Sequence, residues 1–223
     1  MIKTTAGVFL LAILLAVLFL NTHITLLGSG FLIGDGTHVL TYHDLVKKAE
    51  SLTIKFPNED DIEAKTVFFD STNNLAVLKL QEIPKVKRQA LQMSRHGLGS
   101  KSEPVFILGY PWTNTLADQH VLINGSAKNG SILIDLNMAL DPVHSGSPLF
   151  NARQEIVGMV LLSAHAKKAF PVKGSNHFAL PVRFLKKSLE KVRINATRSP
   201  PKNLTKENFI SISRNNIVLV EAR

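Results

Sequence analysis

At 223 residues and 45% hydrophobic content, the chain is long enough for one medium domain or two small ones, and too apolar for a disordered tail. It contains no cysteine, which excludes disulfides, thiolate metal sites and a cysteine nucleophile. The formal net charge is +9, with its excess between Lys167 and Lys202; this reads as a solvated basic face, with an anionic lipid headgroup or polyanion as the alternative partner.

Residues Ala6 to Leu20 are uninterrupted apolar or small residues behind Lys3, and no charge follows until Asp35. A run of this kind belongs in a membrane, and the uncharged flanks Thr4, Thr5 and Asn21 to Leu27 extend it towards the ~20 residues of a span. No small-x-small cleavage site follows it, so residues 1–23 are expected to be an uncleaved signal anchor with Lys3 inside and the rest exported; a cleaved signal is the alternative.

From Ile24 the texture changes to short apolar runs cut by Gly, Asn and Asp, the pattern of a β-protein. Strands are expected at Ile24–Ile33, His38–Thr41, Leu52–Phe56, Ala64–Asp70 and Leu75–Gln81. After a basic connector, a second set is expected at Pro104–Leu108, His120–Asn124, Ser131–Leu136, Pro148–Phe150, Glu155–Ser163 and Phe178–Pro181. Two sets of about six strands point to an all-β fold of two packed barrels or a sandwich. Helices are expected at Thr41–Lys48 and Val182–Val192, the latter with Phe184, Leu185, Leu189 and Val192 on one stripe. The domain is expected to span 24–197, with barrels at about 24–90 and 101–182 and a helix at 182–192. Residues 198–223 are expected to be a tail, and Phe209–Val220 a last strand or extension without an assigned place.

The stretch from Asp141 to Phe150, with Ser145-Gly146-Ser147-Pro148 at its centre, is a tight turn feeding an apolar strand. A serine at such a turn presents its hydroxyl outward beside converging backbone N–H groups, the local geometry of a nucleophile with an oxyanion hole. The same residues are also ordinary turn chemistry. Nothing in the chain reads as a phosphate-binding glycine loop or a nucleic-acid-reading repeat.

The order of several motifs carries more weight than any one of them: Gly28-Ser29-Gly30-Phe31-Leu32-Ile33, Val39-Leu40-Thr41, Asn74 to Leu80, Gly109-Tyr110-Pro111, Ser145 to Asn151 and Phe178 to Val182. Together they resemble the trypsin-like serine proteases of the bacterial HtrA (Deg) type, over about Leu27 to Val192. The resemblance implies two six-stranded β-barrels with the site in the cleft between them and a periplasmic or extracellular location; no PDZ domain is expected, since only a short tail remains.

Carried over residue by residue, the family's nucleophile falls on Ser145. Its oxyanion donors fall on the N–H groups of Val143 and Ser145, with Val143-His144 replacing the usual Gly-Asn. The general base falls on Asp44 instead of a histidine, with His43 next door as an alternative base, and the orienting acid falls on Asn74. The substrate-pairing strand falls on Phe178, Ala179 and Leu180. An ordinary carboxylate is about three pKa units too weak to take a serine proton at neutral pH. Replacing the orienting aspartate of such a triad by asparagine costs about 10⁴ in turnover.

The leading expectation is therefore a membrane-anchored pseudoprotease that binds extended protein segments, without cofactor or nucleic acid and with homo-oligomerisation left open. Two alternatives stand: a serine endopeptidase using Ser145 with a base such as His43, and a metal-binding scaffold built from His43, Asp44 and His144.

Overall fold

The short apolar runs of the sequence form twelve strands in the computed structural model, which describes residues 25–57, 59–86, 88, 91–110, 120–162, 177–195 and 205–223. The expected span at 1–23 lies outside these residues. Among the described residues no helix is long and apolar enough to cross a membrane.

Strands β1 (Leu26–Ile33) and β2 (His38–Thr41) are followed by a single turn of helix, α1 (His43–Val46), and then by β3 (Leu52–Lys55), β4 (Ile62–Asp70) and β5 (Leu75–Leu80). The second half contributes β6 (Glu103–Gly109), β7 (Val121–Asn129), β8 (Ile134–Asn137), β9 (Pro148–Asn151), β10 (Ile156–Leu161) and β11 (Phe178–Pro181). Two helices, α2 (Val182–Lys191) and α3 (Lys206–Arg214), precede the last strand, β12 (Ile217–Ala222).

These strands close into two six-stranded antiparallel barrels, ordered β1-β12-β3-β4-β5-β2 and β10-β11-β8-β7-β6-β9, which decides for barrels over a sandwich. The first barrel is completed from the far end of the chain. β12 pairs antiparallel with β1 from Leu26↔Ala222 to Phe31↔Ile217, and with β3 from Leu219↔Lys55 to Ala222↔Leu52. The expected limits of the first barrel, 24–90, therefore lack its sixth strand, which comes from the stretch 198–223 expected as a tail. The reason is burial: all six residues of β12 are buried, and an apolar run with both faces covered needs a neighbour on each edge.

Side chains alternate with the period of two expected of strands. On β12, Val218, Val220 and Ala222 enter the first barrel's interior with Leu32, Val39, Ile54, Ala76 and Leu78. On β6 and β11, Val105, Ile107 and Ala179 fill the second interior with Ile134 and Leu149. The intervening positions, among them Phe31, Leu40, Val77, Phe106, Leu108, Phe178 and Leu180, form a third apolar layer that also receives Leu185 and Leu189 of α2 and Phe209 of α3. Both faces of most strands are thus apolar, which is why the sequence shows short continuous runs more than strict alternation. Each fully buried aliphatic side chain here contributes about 1.5–3 kcal/mol.

Candidate active site at the seam of the barrels

The turn before β9 winds into one turn of 3₁₀-helix, Pro142–His144, because Pro142 presets its first position and Asp141 and His144 cap each other. The His144 N–H donates to the Asp141 carbonyl at 2.9 Å and the Ser145 N–H to the Pro142 carbonyl at 3.1 Å. One of the two expected oxyanion donors, the Ser145 N–H, is therefore held inside its own turn.

Ser145 itself is buried, and its Oγ accepts a hydrogen bond from the Leu162 N–H at 2.8 Å. On one side the loop is stitched to β10, through Gly146 N–H to the Val160 carbonyl at 2.8 Å and Val160 N–H to the Ser147 carbonyl at 2.9 Å. On the other side it is held by Ser29 of the first barrel. The Ser29 N–H donates to the Ser145 carbonyl at 2.8 Å, its hydroxyl donates to the Val143 carbonyl at 2.7 Å, and the Thr41 hydroxyl donates to the Ser29 carbonyl at 2.8 Å. Sequence reasoning placed Ser29 in a motif without a role; the signal was its place between two glycines at the start of a buried strand.

His144 is a core residue. Its Nδ1 accepts from the Asp141 N–H at 2.8 Å, which leaves Nε2–H to donate to the Tyr110 carbonyl at 3.0 Å. A β-carbon on Gly109 would lie 2.5 Å from the imidazole, so only glycine admits the ring there. Burial pushes the His144 pKa below its ordinary value, against the pull of Asp141 and of the Tyr110 carbonyl. With both nitrogens engaged, His144 has no lone pair to offer a metal, which counts against the alternative ligand set of His43, Asp44 and His144. Among the described residues no group of three or more metal-ligating side chains is assembled.

At the end of β2, α1 carries His43 and Asp44 in different directions, as adjacent helical residues must point. The His43 ring stacks on Phe69 of β4, with centroids 5.1 Å apart. Asp44 turns to Asn74 instead. The Asp44 N–H donates to Asn74 Oδ1 at 2.8 Å, and Asn74 Nδ2 donates to Asp44 Oδ2 at 3.1 Å. The other carboxylate oxygen takes Lys47 Nζ at 2.6 Å. Asn74 sits at φ 50°, a left-handed conformation that asparagine tolerates better than most residues, and its carbonyl accepts the His43 N–H at 3.2 Å. The structure thus brings Asp44 and Asn74 together as a hydrogen-bonded pair and stacks the His43 ring on Phe69.

Phe178, Ala179 and Leu180, the expected substrate-pairing residues, lie on β11. β11 pairs with β10 from Gly158↔Pro181 to Leu161↔Phe178 and with β8 at Phe178↔Asp135 and Ala179↔Ile134, and all three residues are buried. Both edges of Phe178 and Ala179 are thus paired within the barrel, whereas the β8 ladder stops before Leu180.

Two barrels meeting at a serine-bearing turn are the architecture of a known family, and residues 28–159, more than half of the chain, match the model of the trypsin-like peptidase domain. The chain belongs to this family. Its similarity to the HtrA type rests on relatives such as the probable periplasmic serine endoprotease DegP-like of Pseudomonas putida (strain ATCC 700007 / DSM 6899 / JCM 31910 / BCRC 17059 / LMG 24140 / F1). That protein is 30% identical over 144 residues, covering 60% of this chain and 28% of its own. The uncharacterized protein y4bJ of Sinorhizobium fredii (strain NBRC 101917 / NGR234) is 26% identical over 153 residues, 66% of this chain and 24% of its own. The chain thus spans about a quarter of the length of these curated relatives. Among solved structures, Rv3671c from M. tuberculosis H37Rv, a serine-to-alanine mutant in an inactive form, superposes with a TM-score of 0.56 at 18% identity. It covers 77% of this chain and 82% of its own, and shows the shared fold.

Proposed function

We propose that this trypsin-like domain has lost hydrolysis and binds extended protein segments, held at the exported face of a membrane by the apolar run Ala6–Leu20. The observation that carries this reading is the hydrogen-bonded Asp44–Asn74 pair, which occupies the place where the family resemblance puts the base and its orienting acid. An aspartate is as a residue type a weaker base than a histidine, by about 2.6 pKa units between their ordinary values. The wound Pro142–His144 turn supports the same reading, since it keeps the Ser145 N–H from a developing oxyanion.

With both edges of Phe178 and Ala179 already paired, the binding surface we favour is on β4. Its ladder with β3 covers Ile62 and Glu63, whereas its ladder with β5 continues to Asp70. From Ala64 to Asp70 the other edge has no strand partner among the described residues, and Val67 and Phe69 stand exposed along it. An edge with exposed apolar side chains suits addition of an extended chain. The periplasmic designation of the DegP-like relatives and the charge pattern around Lys3 support export.

The test is chemical. A fluorophosphonate probe and an unfolded casein substrate are offered to the purified chain and to Ser145→Ala. Neither labelling nor cleavage above the alanine control is expected, and specific labelling of Ser145 with matching cleavage sinks the reading.

A further inference from the structure

We infer that β12 is a positioning strand for the Ser145 loop, with Leu219 as its contact residue. Two sides of β12 do different things. Val218, Val220 and Ala222 fill the first barrel, whereas Leu219, on the opposite face, packs with Val143, Tyr110 and Leu27. Val143 is the middle residue of the wound turn.

Three further contacts converge there. Leu219 pairs across the ladder with Ser29, the residue whose N–H and hydroxyl hold the carbonyls of Ser145 and Val143. The Ile217 carbonyl accepts from His120 Nε2 at 3.1 Å and from the Tyr110 hydroxyl at 3.4 Å. The Tyr110 carbonyl in turn receives His144 Nε2 at 3.0 Å. Every residue of the turn from Val143 to Ser145 is thus tied to β12 directly or through one intermediary.

Seating of β12 against β1 therefore sets the wound form of the turn. A strand at the opposite end of the chain controls whether the Ser145 N–H bonds to Pro142 or faces the cleft. This rests on the proposed reading only for what the loop serves.

The experiment is residue-resolved amide hydrogen exchange on the whole chain. Leu219→Ala removes the contact beneath Val143, and Val218→Ala, the adjacent truncation on the opposite face, is the control. Exchange at the His144 and Ser145 amides is expected to rise at least about tenfold in Leu219→Ala while the β3 and β4 amides stay within about twofold; Val218→Ala is expected to do the reverse. Leu219→Met, which refills the space, is expected to restore protection. Leu219→Val is read in the same way if alanine prevents folding. Unchanged exchange at Ser145 in the Leu219 variants, or equal change in both sets of amides for both positions, overturns the inference. Exchange reports on the loop and not on chemistry, so this outcome is independent of the fluorophosphonate result.

Discussion

Gly146 and Ser29 approach so closely that a β-carbon on the first would lie 1.9 Å from the carbonyl oxygen of the second, and 3.1 Å from the Thr41 hydroxyl. Gly146 also has φ 91°, where any L side chain is strained. Gly146→Ala is therefore expected to destabilise the fold by about 3 kcal/mol or more, since neither backbone can yield without parting the barrels. Urea unfolding followed by Trp112 fluorescence measures it; a loss below about 1 kcal/mol contradicts the close approach.

Asn74 combines a left-handed backbone with two side-chain bonds to Asp44. Asn74→Ala is expected to cost about 2–3 kcal/mol, and Asn74→Gly to recover the backbone part, about 1 kcal/mol, while leaving the bonds lost. Equal destabilisation by the two substitutions counts against the strain.

Ser147 lies fully buried, and its hydroxyl has no hydrogen-bond partner among the described residues. Ser147→Ala removes an unpaired polar group from an apolar setting and is expected to raise stability by about 1 kcal/mol. A drop of similar size in the unfolding midpoint means that the hydroxyl has a partner after all.

His120 makes the fold acid-sensitive. Burial lowers its pKa from 6.5 to about 4, helped by nearby Arg214 and opposed by the Ile217 carbonyl. The folded state favours the neutral ring, so the unfolded chain binds the extra proton. Its contribution is intact above pH 6.5 and is lost as the pH falls towards 4. A loss on the order of 3 kcal/mol is expected across that window, to which His144, also lowered by burial, adds in the same direction. The profile of His120→Asn measured by urea unfolding at pH 7, 5.5 and 4.5 is expected to be flatter than that of the unaltered chain.

Restoring the triad at the level of side chains tests how many features oppose hydrolysis. Asp44→His combined with Asn74→Asp supplies a base and its orienting acid, yet leaves the Ser145 N–H on Pro142. Little fluorophosphonate labelling is expected from this double substitution. Adding Val143→Gly, which frees the turn to adopt a positive φ, is expected to raise the labelling rate by about 10²-fold, the scale of one oxyanion donor. If the double substitution already labels at the rate of the triple, the wound turn does not obstruct the site.

Much of this architecture was legible locally. Every strand from β1 to β11 announced itself as a short apolar run between turn residues, and β2 and β11 match the expected limits at His38–Thr41 and Phe178–Pro181. Strand β7 runs on to Asn129 because its second half is a surface strand whose polar Ser126, Lys128 and Asn129 carry no hydrophobic signal. Helix α3 was missed since Lys206–Arg214 is only weakly amphipathic; its Thr205 cap, which accepts from the Asn208 N–H, was the available cue. The partners of β12 lie more than 160 residues earlier in the chain, and no local pattern names a partner at that distance. In the site, the neighbourhood of Asp44 and Asn74 followed from motif order. The tautomer of His144, the winding of Pro142–His144 and the pairing of Phe178 and Ala179 on both edges are products of tertiary packing.

The interleaved order of the first barrel also sets a timetable for synthesis. Five of its strands leave the ribosome early, but the edges of β1 and β3 stay bare until the whole of the second barrel and two helices have followed. During that interval the nascent chain exposes two adhesive margins, the kind of bare edge that invites pairing with other chains. The half of the molecule that is made first is the last to be finished.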